Sequence, residues 1–135
     1  MHRWDSTLET GHERIDRQHR QLFTAYDDLV DAICREKGRD EIFKTVDFLS
    51  GYVLMHFQME EELQRESGYV DYPRHKRIHD EFRETVQDLV KRFCEEGPSE
   101  EFVAAVTGVI GDWLFNHVKG DDFRMAAFLI SKGSA

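Results

Sequence analysis

The chain has 135 residues and a formal net charge of −9, which predicts one domain with a single core of ordinary size. The acidic balance excludes the basic stripe with which a nucleic-acid binder meets phosphates, and an anionic membrane surface would repel it. No apolar run approaches the ~20 residues of a membrane span and the first ten residues lack an apolar signal-peptide core, so a cytoplasmic location is expected, either as a free protein or as a domain of a longer receptor.

The first amphipathic run is Ile15, His19, Leu22, Phe23, Tyr26, Leu29, Val30 and Ile33. These share one 3.6-residue face and predict a helix over 13–37. Gly38 and Asp40 are expected to end it and to cap a second helix over 41–66. That helix carries Ile42, Val46, Leu49, Val53, His56, Glu60 and Leu63 in steps of four and three, and Ser67-Gly68 closes it. Asp71-Tyr72-Pro73 opens a third helix over 73–95, with the proline in a first turn where no donor is missed. Its stripe is His75, His79, Phe82, Val86, Leu89 and Phe93. After Gly97-Pro98, Ser99 is a suitable N-cap for a fourth helix over 99–118, with Glu100 and Glu101 at the positive end of its dipole. This one presents Phe102, Val106, Val109 or Ile110, Trp113 and His117, and an apolar stretch after Gly120 predicts a short tail helix over 121–131. There is no repeat and no strand-like alternation. The expected fold is all-α, a single domain over 1–135 folded as an antiparallel up-down-up-down four-helix bundle with a short C-terminal helix. Cys34 and Cys94, in no CxxC pattern, are expected to be half-buried thiols.

Each of the four core stripes is interrupted by histidine: His19 on the first, His56 with Glu60 on the second, His75 with His79 on the third, His117 on the fourth. A single histidine on an apolar face is usually a satisfied core residue. Four helices with the same interruption make that account hard to sustain, and residues four apart project to one point in space. A buried polar network without metal would need a partner for every ring nitrogen and carboxylate oxygen. A cation meets the demand more simply, because neutral imidazoles and carboxylates are its ligands.

Five histidines and a carboxylate are too many for one tetrahedral zinc, and calcium or magnesium would want more oxygen. The set suits two iron ions sharing a bridging group, or two zinc or copper ions. A second bridging carboxylate is expected from "HVKGDD". Asp122 lies five residues after His117, which in an unbroken α-helix turns it about 140° away, so Gly120 is expected to let the backbone leave the helix and return it. Asp121 is the competing candidate. The "HKRIH" at 75–79 has metalloprotease spacing but Lys76 where the glutamate must stand. The Glu-x-x-His triplet needed by ferritin-like oxidases occurs once, at Glu9 and His12, ahead of the first helix. His2 and His12 are therefore expected to be solvated.

These motifs resemble the hemerythrin family: "IDRQH" around His19, "HFQMEEEL" around His56 and Glu60, "YPRHKRIH" through His75 and His79, "WLFNHVKGDD" through His117 and Asp122. The resemblance runs through nearly the whole chain, and all seven ligand positions of the family pattern are filled in order. It implies a non-haem di-iron site (Fe2+/Fe3+) in which His75, His79 and His117 hold one iron and His19 and His56 the other. Glu60, Asp122 and an oxo or hydroxo group would bridge the two. Two histidines against three would leave an open position for dioxygen as ligand. Around it an apolar pocket is expected. Helical spacing points Leu22 and Leu114 toward the site, and the family pattern adds Phe57 and Trp113.

The function implied is reversible dioxygen binding for storage, delivery or sensing, not an enzymatic one. The alternatives are an oxygen- or redox-sensing domain reporting to a signalling partner, through residues 1–11 or the tail after Gly120, and a di-iron oxidase or peroxidase. The last would need an ionisable or hydroxyl group at the open position, and the stripes offer none.

Overall fold

A computed structural model describes residues 4–133. After a 3-10 turn at Ser6–Leu8, the chain forms α1 (Glu13–Cys34), α2 (Arg39–Ser67) and α3 (Tyr72–Glu96). It then runs through α4 (Glu100–Ala104), a π turn at Ala105–Ile110, α5 (Gly111–His117), a second π turn at Val118–Asp122, and α6 (Phe123–Ser131). There is no strand among the described residues, and no helix there is long and apolar enough to cross a membrane. The early part of α1, the late part of α2, the early part of α3 and the end of α5 converge on one level of the molecule, which makes the four rods antiparallel.

The helix ends follow local chemistry. Gly38, at φ 92°, is the N-cap of α2, so Asp40 sits inside the first turn and is not the cap the sequence suggested. Arg39 fixes this start by donating to the Cys94 carbonyl at 2.6 Å, tying the beginning of α2 to the end of α3. Gly68 ends α2 in the left-handed region, where Tyr69 N–H returns to the Gln64 carbonyl. Ser99 accepts from Phe102 N–H at the start of α4. His12, expected in solvent, is 2 % exposed and is the N-cap of α1, its Nδ1 accepting from Ile15 N–H. Capping the buried start of α1 draws this ring inward. His2 lies outside the described residues. Cys34 and Cys94 are both exposed, because each stands just off its helix's apolar stripe.

Two apolar clusters lie along the bundle. The larger contains Leu22, Tyr26, Leu29, Val46, Leu49, Val53, Phe82, Val86, Phe93, Phe102, Ile110 and Leu114. The smaller, formed where α6 lies on α1 and α2, contains Ile15, Met59, Met125, Ala126 and Leu129. The polar residues that interrupt the stripes lie at the level between them.

The backbone does not leave the helix at Gly120, as the sequence suggested it must. Every junction from Ala104 to Phe123 has right-handed helical dihedrals. The i→i+5 bonding of a π turn adds one residue to the turn, so Asp122 returns to the face of His117 while the rod continues into α6. The first π turn moves Val109 outward, 57 % exposed, and Ile110 inward. It is anchored by Tyr26, whose buried hydroxyl donates to the Val106 carbonyl at 3.0 Å. A buried neutral hydrogen bond contributes about 1 kcal/mol. Tyr26→Phe is therefore expected to lower the thermal midpoint by about 3 °C with helicity unchanged; circular dichroism melting checks this.

Candidate metal centre

Seven side chains converge between the apolar clusters: His19 from α1, His56 and Glu60 from α2, His75 and His79 from α3, His117 from α5 and Asp122 from the second π turn. All are buried. They form two groups that share the carboxylates, one of Glu60, His75, His79, His117 and Asp122, the other of His19, His56, Glu60 and Asp122.

Each carboxylate divides its oxygens between the groups. Glu60 Oε2 is 2.9 Å from His56 Nε2 and 3.3 Å from His19 Nε2, while its Oε1 faces His79 Nε2 at 3.4 Å. Asp122 Oδ2 is 3.0 Å from His19 Nε2, while its Oδ1 is 3.1 Å from both His75 Nε2 and His117 Nε2. The helical i,i+4 spacing places His56 beside Glu60 and His75 beside His79 on common faces.

A cation fits this donor set. His117 Nε2 is 3.1 Å from the Nε2 atoms of both His75 and His79, and three neutral imidazoles cannot all satisfy one another through single lone pairs. Glu60 Oε1, Asp122 Oδ1 and His56 Nε2 are buried with no hydrogen bond of proper geometry. Ring nitrogens and carboxylate oxygens together suit a transition metal better than calcium or magnesium.

Without metal, protons compensate part of the charge. Burial opposes a charge on His19, but the Asp122 and Glu60 carboxylates outweigh it and raise the group to about 9. Burial likewise opposes a charge on His117, and Asp122 with Asp121 raises it to about 10. His56 is lowered, with burial the larger influence. Burial pushes the Glu60 and Asp122 carboxyls up, and for Glu60 so does the Asp122 charge, yet the facing histidines hold both well below the usual range. A metal entering the site must displace the imidazolium protons.

A further ring of residues touches the outer ring nitrogens. His79 Nδ1 lies 2.9 Å from Glu61 Oε2, and Arg83 Nη1 donates to the same oxygen at 2.9 Å. His117 Nδ1 is 3.4 Å from Asp121 Oδ2, while Arg74 donates to Asp121 Oδ1 at 2.9 Å and Arg124 donates to it as well. His56 Nδ1 meets the amide oxygen of Gln18 at 2.9 Å. The sequence reading overlooked Gln18 and Glu61 and considered Asp121 only as a rival of Asp122. Glu61 did carry a signal, as a charged residue directly beside Glu60 and one turn after Phe57.

Leu22, Phe57 and Leu114 are buried and Trp113 is partly so. Phe57 stacks on His79 with centroids 3.8 Å apart, and Trp113 stacks on His117 at 4.3 Å. Both aromatics thus lie against the three-histidine group. Trp113 is held there by Phe82, stacked on it at 3.7 Å. Leu22 and Leu114 belong to the larger apolar cluster.

Comparison with known proteins agrees with this geometry. The family profile described as Hemerythrin HHE cation binding domain matches residues 10–129. A myohemerythrin of Theromyzon tessulatum is 30 % identical over 123 residues, covering 91 % of this chain and 89 % of the relative. A bacteriohemerythrin of Pseudomonas aeruginosa (strain PAO1 among others) is 33 % identical over 121 residues, covering 88 % and 75 %. One of Methylococcus capsulatus is 36 % identical over 103 residues, with 76 % of each covered. A crystal structure of wild-type hemerythrin superposes with a TM-score of 0.85 at 32 % identity, covering 96 % of this chain and 98 % of that one. With the profile spanning both carboxylates and all the clustered histidines, this chain belongs to the hemerythrin family.

Proposed function

We propose that this protein binds dioxygen reversibly at a non-haem di-iron centre in the bundle core, for oxygen storage, delivery or sensing. The observation that carries the reading is the division of the Glu60 and Asp122 oxygens between a three-histidine and a two-histidine group. His75, His79 and His117 would hold one iron and His19 and His56 the other, with Glu60, Asp122 and an oxo or hydroxo group common to both. When bound, the iron pair supplies the two electrons that make dioxygen binding favourable and the reverse transfer that allows release.

The chain's own residues set the conditions. Glu60 and Asp122, held ionised, offset the charge of the cations. Five histidines divided three to two leave the His19 and His56 group short of one donor, which is where dioxygen is admitted. Leu22 and Leu114, both about 1 % exposed, supply hydrocarbon in place of hydroxyl or carboxyl groups, while Phe57 and Trp113, included in the pocket by the family pattern, stack instead on His79 and His117 of the three-histidine group. Such a wall keeps out the water and protons that would release reduced oxygen and leave the metals oxidised. A di-iron oxidase would gain from a proton donor here, and the reading is of an oxygen binder and not an enzyme.

The deciding experiment combines metal analysis with anaerobic reduction and re-exposure to air. About two irons per chain, with a visible charge-transfer band that forms in air and fades under argon, are expected. Rapid oxidation without that band would overturn reversible binding. His117→Ala should lose most of its iron and melt lower, because the buried donors are left without their cation; metal analysis and melting read the two effects. Leu114→Tyr should retain its iron but shorten the lifetime of the oxygenated form about tenfold, since one proton-donating group in such a site changes a rate by this order or more. Following the decay of the visible band measures it.

A further inference from the structure

The inner donors of the site divide three histidines to two about the shared carboxylates, and the groups behind the histidines differ as well. On the three-histidine side, the outer nitrogens of His79 and His117 face the carboxylates of Glu61 and Asp121 at 2.9 and 3.4 Å. Both carboxylates are tied to arginine. Arg83 joins Glu61 at 2.9 Å and Asp80 at 2.7 Å, and Arg74 joins Asp121 at 2.9 Å and Asp71 at 2.9 Å. Arg83 also lies 5.4 Å from the centre of the Phe57 ring, which stacks on His79 with centroids 3.8 Å apart. His79 is thus clamped between an aromatic face and an arginine-held carboxylate.

On the two-histidine side no carboxylate stands behind a ring. His56 Nδ1 meets the neutral amide of Gln18. One ring on each side, His19 on this one and His75 on the other, has an Nδ1 with no hydrogen-bond partner among the described residues, so the difference between the sides lies in the carboxylates behind His79 and His117 against the amide behind His56. A carboxylate behind a ligating imidazole fixes its tautomer and strengthens its donation to a metal, and loss of such a partner typically weakens metal affinity about 10- to 100-fold. A neutral amide orients the ring but adds no charge.

We infer that Glu61 and Asp121 are positioning residues that make the His75, His79 and His117 half of the site hold its ion more tightly than the His19 and His56 half. Metal then enters and leaves in order: the three-histidine half fills first and empties last, and the ion on the side open to dioxygen is the exchangeable one. This rests on the two-metal reading proposed above and adds to it which half is stable and which residues outside the ligand set make it so.

The test is cobalt(II) release from the full-length protein. The chain, loaded to saturation and freed of excess metal, is challenged with a chelator while bound cobalt and its d–d absorption are followed. The native chain is expected to lose its cobalt in two phases of equal amplitude. Glu61→Gln and Asp121→Asn each keep an acceptor oxygen and remove the charge, and each should accelerate the slow phase by about 10-fold or more while leaving the fast phase in place. Gln18→Glu puts a carboxylate behind His56 and should slow the fast phase. A merely structural role for Glu61 or Asp121 would accelerate both phases together, and that result overturns the assignment. A slow phase unchanged in both charge-removing variants also overturns it, because the count of histidines would then suffice. Release of two cobalt ions in a single phase from the native chain refutes the ordering but leaves the two-metal site standing. Saturation at about one cobalt per chain would reject the two-metal reading and the ordering with it.

Discussion

Two ionised carboxylates, Glu60 and Asp122, lie almost wholly out of water between two apolar clusters, facing five histidines. An unpaired buried charge costs several kcal/mol, and the surrounding bundle is arranged around offsetting it. In the metal-free chain the offset comes from imidazolium protons on His19 and His117. Cations held by the full donor set would do the same, without the close approach of ring nitrogens that neutral imidazoles leave unsatisfied. The site is therefore both a destabilising gap in the core and, with metal bound, a cross-link joining all four rods.

That constraint reaches the backbone. Asp122 belongs to the same continuous helical run as His117, yet regular α-helical geometry would turn it away. The second π turn corrects the rotation without ending the rod, so the bridging position and the C-terminal helix are one device: the turn that aims Asp122 inward also delivers Met125, Ala126 and Leu129 to the smaller apolar cluster beneath the site. The first π turn acts one level away, where Tyr26 reaches across from α1 to the Val106 carbonyl. The apolar positions Phe102, Val106, Ile110, Leu114 and Val118 advance in uninterrupted fours. In a plain α-helix that spacing drifts around the rod by about 40° a step; the first π turn, at Ala105–Ile110, takes up part of the drift.

The electrostatic surroundings extend the same logic outward. Glu61 and Asp121 point away from the shared centre toward the outer nitrogens of His79 and His117, and arginines hold each in place. Adjacent acids in the chain thus face opposite ways: Glu60 and Asp122 face the shared centre, while Glu61 and Asp121 face the outer nitrogens of His79 and His117. The strongly acidic chain concentrates some of its charge where it orders imidazoles.

Much of this was legible in the residues. Periodicities of four and three marked the helices, their turn residues marked the ends, and histidines on four apolar stripes marked a shared polar centre, because burial of such groups is tolerated only where they meet. Six of the clustered donors, His19, His56, Glu60, His75, His79 and His117, stood on those stripes for the same reason, while Asp122 was implied by the family resemblance. What the sequence could not decide was orientation between neighbours. Asp121 and Asp122 are chemically identical and adjacent, and a π turn, stabilised by packing of α6 on α1 and α2, chooses between them. The burial of His12 depended on the docking of the first turn. The sequence by itself determined the helical bundle, the level of the site and its donor types, since these follow from local period and the cost of burying charge. Only the tertiary structure decided which oxygen of each carboxylate faces which histidine group, and that arginine-held carboxylates back one group and a neutral amide the other, because those choices depend on side chains from different helices meeting in space.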